Sequence, residues 1–590
     1  MSTPTIALSI PADLRACSLE EMEELAADIR GFLLHHISRT GGHIGANLGT
    51  VELTIALHRV FRSPGEPLLF DTGHQGYTHK LLTGRADLFP SLNTFGGMNR
   101  FLTPQESKHD MIEASHAGTA LSIGLGMALA RRLEGDERPV VAVVGDSALA
   151  EGSSLEALNH AVVENTRLIL VINDNGYAIS PGFGGLHEVL SSGEARARPF
   201  FESLGMNYFG PVDGHDLGAL IETLERARTA RHMPVVHAKT IKGKNWSPAY
   251  NHPFRMHYSF PFDPETGAPR SGTPPARTYP DVAGAAVEAA MEHDERIVCI
   301  TPSTLYATGL TRVFERFPKR CFDPGMEEQH ALSMTVGLAL EGRVPIIAYQ
   351  STFLQRAFDQ LLHDVCFTNR PTLILSMRSG FSGYDNPTHH GVYDIAFLRP
   401  LPNLTVAYPK DGGELESMIQ AALMNLRGPV MLMMPYGPLD DFGGSGTDRG
   451  AALFEPEEAL RGKDTVLITV GNKFGAAREA ARRLGAGLVN LRRLKPLPEE
   501  TLLDLVAPYQ RLVTAEEAVL DGGVGAAIAA MLADRGDRRE LLRIGLPCSF
   551  IQPGSNEELC RIHGLDAKGL LAAVVRRWPD LESKATGCMR

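Results

Sequence analysis

Two short motifs place hard oxygen donors directly after apolar runs. Gly145-Asp146-Ser147 closes the run at 139–145, and Asn173-Asp174-Asn175 closes the run at 167–173. Asp146 and Asn175 are 29 residues apart, the distance of one strand–helix–strand unit, so on neighbouring strands both would reach into one crevice. Magnesium takes six oxygens and is usually held by few protein ligands plus phosphate oxygens. Asp146, the Asn175 amide oxygen and a backbone carbonyl such as that of Tyr177 can supply the protein share, with diphosphate oxygens and water as the remainder. Read singly, each motif is an ordinary turn that caps a helix. As a pair at this spacing, they point to a magnesium diphosphate site. The glycine-rich stretches Gly42-His43-Ile44-Gly45-Ala46-Asn47-Leu48-Gly49 and Gly73-His74-Gln75-Gly76-Tyr77-Thr78-His79-Lys80 are further loops in which backbone can approach a ligand.

The elements that position these donors follow from the hydrophobic pattern. Residues 139–145 and 167–173 are short β-rich runs, apolar on both faces, and 153–163 between them fits a helix. Runs at 297–301, 344–349, 372–377, 404–407 and 430–434 predict a second parallel sheet, with helices at 333–340, 358–365 and 413–425. A third set comprises 465–470, 488–491, 512–515 and 541–544. Polar Pro/Gly-rich stretches at 262–275 and 441–450 separate the sets. The expected fold is therefore α/β: three consecutive parallel-sheet domains over 1–275, 276–450 and 451–590, with chemistry beyond the carboxyl ends of the strands.

Composition narrows the function. The chain has 590 residues, a net charge of −12 and no basic tract, which argues against nucleic acid as the main partner because such binding is largely phosphate neutralisation. The seven cysteines are scattered, with no Cys-x-x-Cys pair, as in a reducing compartment. No long apolar run suggests a signal peptide or membrane span, so a cytoplasmic location is expected.

The motifs together resemble the 1-deoxy-D-xylulose-5-phosphate synthase family of transketolase-like enzymes. The resemblance runs nearly end to end. It is carried by Gly73-His74-Gln75 with His79-Lys80, Gly145-Asp146 with Asn175, the run 210–216, Glu328-Gln329-His330-Ala331, the run 351–357, and Thr388-His389-His390-Gly391. It implies thiamine diphosphate and Mg2+ as cofactors, a homodimer, a place in isoprene biosynthesis, and transfer of a two-carbon unit from decarboxylated pyruvate to glyceraldehyde 3-phosphate or a related aldehyde. Asp146, Asn175 and the Tyr177 carbonyl would hold Mg2+, with Gly145, Ser147, His74 and His116 in cofactor loops. Glu328 would hydrogen-bond N1′ of the aminopyrimidine and Phe353 would pack on that ring. The carboxylate thus favours the tautomer whose exocyclic nitrogen removes the C2 proton. His43, His257 and His389 would serve proton transfer or alignment, a role suited to imidazole. Arg356, Arg378 and Asp385 would line the acceptor site.

The sequence departs from the family pattern in several places. Ala117 and Gly118 stand where two serines are usual, and Ser147 replaces a glycine. The segment between Ala178 and Phe200 is short where the family carries an additional mobile stretch, which should open the entrance. Gln350 occupies the position of a tyrosine, with Tyr349 one step earlier and so facing the opposite way in a strand. Tyr436 stands where the family has a phosphate-binding arginine. An altered acceptor is the expectation, with ligation to an unphosphorylated aldehyde and transketolase-type ketol transfer as competing enzyme readings. A non-enzymatic scaffold would give no reason to keep Glu328 and both metal side chains.

Overall fold

The structure is a computed structural model that describes residues 8–11, 13–270, 277–442 and 450–582. The predicted linker residues 271–275 and 443–449 and Cys588 lie outside these. The chain divides into two compact units, residues 1–274 with 324–327, and residues 275–323 with 328–590.

The first unit is built on a five-stranded parallel sheet of β1 (Leu68–Asp71), β2 (Val140–Gly145), β3 (Leu168–Asp174), β4 (Asn207–Asp213) and β5 (Pro234–Lys239), in the order β1-β2-β3-β5-β4. β2 and β3 are adjacent and in register from Val140 opposite Leu168 to Gly145 opposite Asn173, so the two polar motifs emerge side by side. Strands β1 to β3 are buried almost throughout because hydrophobic clusters cover both sheet faces: Val141, Val143, Ile169 and Val171 on one, Val140, Ala142, Leu168 and Leu170 on the other. The predicted helix runs from Gly152 to Glu164, its first turn capped by the Glu151 carboxylate accepting from the Ser153 N–H. The segment after Ala178, expected to be short for the family, folds as two helices, Gly185–Ser191 and Glu194–Ser203.

The second unit carries two sheets. β6 (Ile297–Ile300), β7 (Cys321–Phe322), β8 (Val344–Gln350), β9 (Thr372–Met377), β10 (Thr405–Ala407) and β11 (Pro429–Met433) are parallel. The other sheet contains β12 (Glu457–Leu460), β13 (Thr465–Thr469), β14 (Gly487–Asn490), β16 (Arg511–Val519) and β17 (Glu540–Leu546), in the order β12-β14-β13-β16-β17. Between β14 and β16 the chain contributes β15 (Arg493–Lys495), which crosses to pair antiparallel with β10 as the seventh strand of the preceding sheet. Ion pairs reinforce that crossing: buried Arg492 meets buried Glu414 at 2.6 Å, and buried Lys410 meets half-buried Glu457 at 2.6 Å. The architecture is three-domain α/β with predominantly parallel sheets, and its middle and C-terminal parts share one sheet. Where 358–365 was expected to be a helix, three α-helical residues lead into a π-helical turn at Leu361–Cys366. The cysteines among the described residues carry no disulfide, and among those residues no helix is long and apolar enough to cross a membrane.

Candidate active site

In the first unit, the predicted residues gather at the carboxyl edge of the sheet. His74 lies in the turn Gly73–Gln75 after β1, Asp146 directly follows β2, and Asn175 directly follows β3. Asp146 is buried and its Oδ2 accepts the Gly176 N–H at 2.9 Å, which joins the two loops. The Asn175 side-chain oxygen accepts the Tyr177 N–H at 3.0 Å, folding residues 175–177 into a tight turn. Burial, and then the charge of Asp174, push the Asp146 carboxyl up to about 7. A carboxylate that is desolvated and faced by a second carboxylate is the environment a divalent cation offsets, and the neighbouring donors are all hard oxygens. The residues present therefore fit magnesium. Among the described residues no group of three His, Cys, Asp or Glu side chains is placed to hold a metal, and the expected donor set contains only one such side chain.

Three of the five predicted histidines form a triangle. Ring centroids are 5.0 Å apart for His43 and His74, 5.4 Å for His43 and His257, and 5.0 Å for His74 and His257. Asn47 fixes the first two: its amide donates to the His43 and His74 carbonyls, both at 2.7 Å, and its oxygen accepts the Tyr77 N–H at 2.8 Å. The glycine-rich motif brings in the third. A Cβ on Gly45 would stand 1.9 Å from the Arg255 carbonyl, so only glycine lets the segment leading to His257 lie against it. Burial holds His74 down to about 3 and His257 well below the usual imidazole range, so both rings are neutral at pH 7. A neutral ring both accepts and donates a hydrogen bond.

Lys242 links this triangle to the oxygen-donor loops. It lies just beyond β5, is 3% exposed, and its Nζ donates to the Ala178 carbonyl at 2.5 Å and meets His257 Nδ1 at 3.1 Å. Burial lowers its pKa to about 7. Residue type and local pattern alone do not single out Lys242. The available signal was its position, a cation immediately after an apolar strand on the edge where ligands collect. A buried relay was also missed: the Tyr208 hydroxyl meets His237 Nδ1 at 2.6 Å, and His237 Nε2 meets Asp174 at 2.8 Å, behind the Asn175 loop.

The loop with His116, half-buried, is tied to the end of β1, where the Asp71 carboxylate accepts the N–H groups of Gly118 and Ala120 at 2.9 Å. Gly118 has φ +91°, and a Cβ there would lie 1.9 Å from Glu151 Oε2. The buried Glu151 thus occupies the room that a serine side chain at 118 would need. Ser147 lies in the short helix Asp146–Leu149, and Gly145 ends β2.

In the second unit, Glu328 is the first residue of the helix Glu328–Leu340 and is buried. Tyr349, fully buried, donates its hydroxyl to the Glu328 carbonyl at 2.9 Å, so it faces that helix and does not stand in for a side chain at 350. Gln350 ends β8 and Phe353 follows within the helical turn Ser351–Leu354. The Phe353 ring meets His389 edge-on at 5.7 Å, an approach fixed by Thr352 donating to the Thr388 carbonyl at 2.9 Å. Arg356 reaches Glu328 Oε2 at 3.5 Å. Arg378, directly after β9, pairs with Asp385 at 2.8 Å, and its guanidinium carbon lies 4.7 Å from the centroid of the Tyr436 ring. Tyr436 follows the end of β11 by three residues. Gln350, Phe353, Arg378 and Tyr436 thus lie at or within three residues of the carboxyl ends of strands, Arg356, Asp385 and His389 lie in the turns and loops that follow β8 and β9, and Glu328 opens its helix.

Comparison with known proteins bears on both units. A 1-deoxy-D-xylulose-5-phosphate synthase family profile matches residues 6–198 and 193–240. The transketolase pyrimidine-binding domain matches 276–440, and the transketolase C-terminal domain matches 457–570. The chain is 40% identical to the 1-deoxy-D-xylulose-5-phosphate synthase of Acidovorax ebreus over 97% of its own length and 96% of the relative's. It is 40% identical to that of Thioalkalivibrio sulfidiphilus over 98% and 95%. It is 39% identical to synthase 1 of Geobacter sulfurreducens over 97% of each chain.

Proposed function

Because the chain belongs to the 1-deoxy-D-xylulose-5-phosphate synthase family, we propose that it decarboxylates pyruvate and joins the two-carbon unit to an aldehyde, using thiamine diphosphate and Mg2+. The observation that carries this reading is Lys242, whose single ammonium ties the His43, His74 and His257 triangle to the loop bearing Asn175 and Tyr177.

Asp146, the Asn175 amide oxygen and the Tyr177 carbonyl would hold Mg2+, and Lys242 adds a cation for the diphosphate. Gly145, Ser147, His74 and His116 line the cofactor loops. Glu328 would accept a hydrogen bond from N1′ of the aminopyrimidine, and Phe353 would pack on that ring. When bound, thiamine diphosphate would supply a nucleophilic carbon for the pyruvate ketone and a cationic ring that takes up the electron pair left behind as carbon dioxide departs. The chain's residues do the rest. His43 and His257, in the histidine triangle, orient the donor carboxylate and pass protons between substrate oxygens. His389, buried beside Phe353, does the same for the acceptor oxygen. Arg356, Arg378, Asp385, Gln350 and Tyr436 line the acceptor side.

The ranges 1–275, 276–450 and 451–590 are proposed as the cofactor-binding, pyrimidine-binding and C-terminal domains. A cytoplasmic homodimer is the proposed working form. The deciding experiment is proton exchange at the cofactor C2 atom, followed by NMR, in Glu328→Gln. The amide lacks the charge that activates the pyrimidine, so exchange should slow sharply in a folded protein that still binds cofactor. Exchange at the wild-type rate would remove Glu328 from the mechanism.

A further inference from the structure

The run 210–216 spans the end of β4 and the turn after it, and its last four residues each have a separate partner. β4 ends beside β5, with Asp213 opposite Lys239. The Gly214 N–H donates to the Lys239 carbonyl at 2.7 Å, and a Cβ there would stand 2.7 Å from that same oxygen, so only glycine lets the two ends close up. The Asp213 carboxylate accepts the His215 N–H at 2.9 Å, and Asp216 caps the helix Leu217–Thr229 by accepting from the Ala219 N–H. These contacts set the His215 ring against the segment that bears Lys242.

The His215 side chain is 7% exposed and makes two hydrogen bonds of opposite sense. Its Nε2 accepts the Ile241 N–H at 2.9 Å, and its Nδ1 meets Glu52 Oε2 at 3.1 Å. A backbone N–H only donates and a carboxylate only accepts, so the ring carries its proton on Nδ1 and keeps Nε2 as an acceptor. Burial opposes the Glu52 charge, but hydrogen bonds from His215 and Arg30 outweigh it and hold the carboxyl down to about 2. Arg30 meets Glu52 at 2.5 Å and also reaches the Leu48 carbonyl at 3.3 Å. One chain of contacts thus runs from the glycine-rich segment 42–49 through Arg30, Glu52 and His215 to the turn 241–244. The same turn is gripped from another side, where the Gly243 N–H donates to the Gly45 carbonyl at 2.8 Å. The N–H that His215 holds belongs to the residue just before Lys242, whose ammonium must stand between the Ala178 carbonyl and His257.

We propose that His215 is a positioning residue for the cofactor site: through the Ile241 N–H it holds Lys242 where the ammonium meets the diphosphate. This rests on the reading above that Lys242 contacts the diphosphate. The test is titration calorimetry with thiamine diphosphate at fixed Mg2+, on His215 variants alone and in a Lys242→Met background, with cofactor-free melting followed beside it. His215→Leu should weaken the affinity by about three- to thirtyfold, part of what removing the ammonium costs, and should add little once Lys242 is methionine. Two polar replacements decide the matter if the leucine variant does not fold. His215→Gln, whose side-chain oxygen reaches the Nε2 position, should bind within about twofold of wild type. His215→Asn, which reaches only as far as Nδ1 and Glu52, should bind as weakly as the leucine variant. Wild-type affinity in a folded His215→Leu or His215→Asn, or a loss of equal size in the Lys242→Met background, overturns the proposal and leaves Lys242 in the cofactor site. Wild-type affinity in Lys242→Met alone overturns the reading of Lys242, and this proposal with it.

Discussion

Replacing Lys242 by methionine separates a functional cation from a structural one. The ammonium is buried, and burial lowers its pKa from 10.5 to about 7. In the unfolded chain the same group keeps its proton to about pH 10, so at pH 7 the cofactor-free fold bears roughly 4 kcal/mol for desolvating it. Methionine has a similar length and no charge. The cofactor-free variant should therefore melt at or above the wild-type temperature, even though hydrogen bonds to Ala178 and His257 are lost. Binding should move the other way. Losing a charge-assisted contact with an anionic diphosphate costs about 1.5 to 3 kcal/mol, a weakening of roughly 10- to 150-fold in Kd. Scanning calorimetry without cofactor and titration calorimetry with thiamine diphosphate at fixed magnesium measure the two quantities. Wild-type affinity in the variant, or a lower melting temperature without cofactor, would refute the reasoning.

Three further outcomes follow from the geometry. Asp146→Ala should abolish most of the magnesium dependence of diphosphate binding while the sheet stays folded, as read by titration across a magnesium series. Burial raises the Asp394 carboxyl to about 7, so the folded state holds a proton that the unfolded chain releases near pH 4. Stability should accordingly fall by up to about 4 kcal/mol between pH 4 and 7, and Asp394→Asn should flatten that part of the denaturation profile. Gly118→Ser should cost about 1 to 3 kcal/mol through its positive φ and the contact with Glu151; denaturant unfolding should show a smaller cost when Glu151→Ala is added, and strict additivity would remove Glu151 as the cause.

Strands buried on both faces were legible as continuous apolar runs: β2, β3, β8, β9 and β13 begin and end within a residue or two of where hydrophobicity places them. β1 has only four residues and β7 two, too few for a pattern to stand out from a buried helix turn. β4 carries Pro211 and mixes exposed with buried positions, and β15 pairs across sheets, a long-range choice that local pattern does not encode. In the site, Asp146, Asn175 and the histidine motifs were legible because each sits in a distinctive polar or glycine-rich break after an apolar run. Lys242 was not, since one lysine in a lysine-containing turn looks like solvated surface until the fold buries it. The Asp385–Arg378–Tyr436 arrangement was half legible. The residue types motivate the expectation of an altered acceptor, and Arg378 and Asp385 lie only seven residues apart, but the ring stack joins Arg378 to Tyr436, 58 residues further along the chain.

The most direct test of the account is the stoichiometry of carbon dioxide and product when the holoenzyme receives carboxyl-labelled pyruvate and an excess of hydroxyaldehyde. The account predicts one labelled carbon dioxide for each new ketose longer than the aldehyde by two carbons, with no turnover when magnesium is chelated. A product formed at the same rate from a ketose donor without release of label would contradict it.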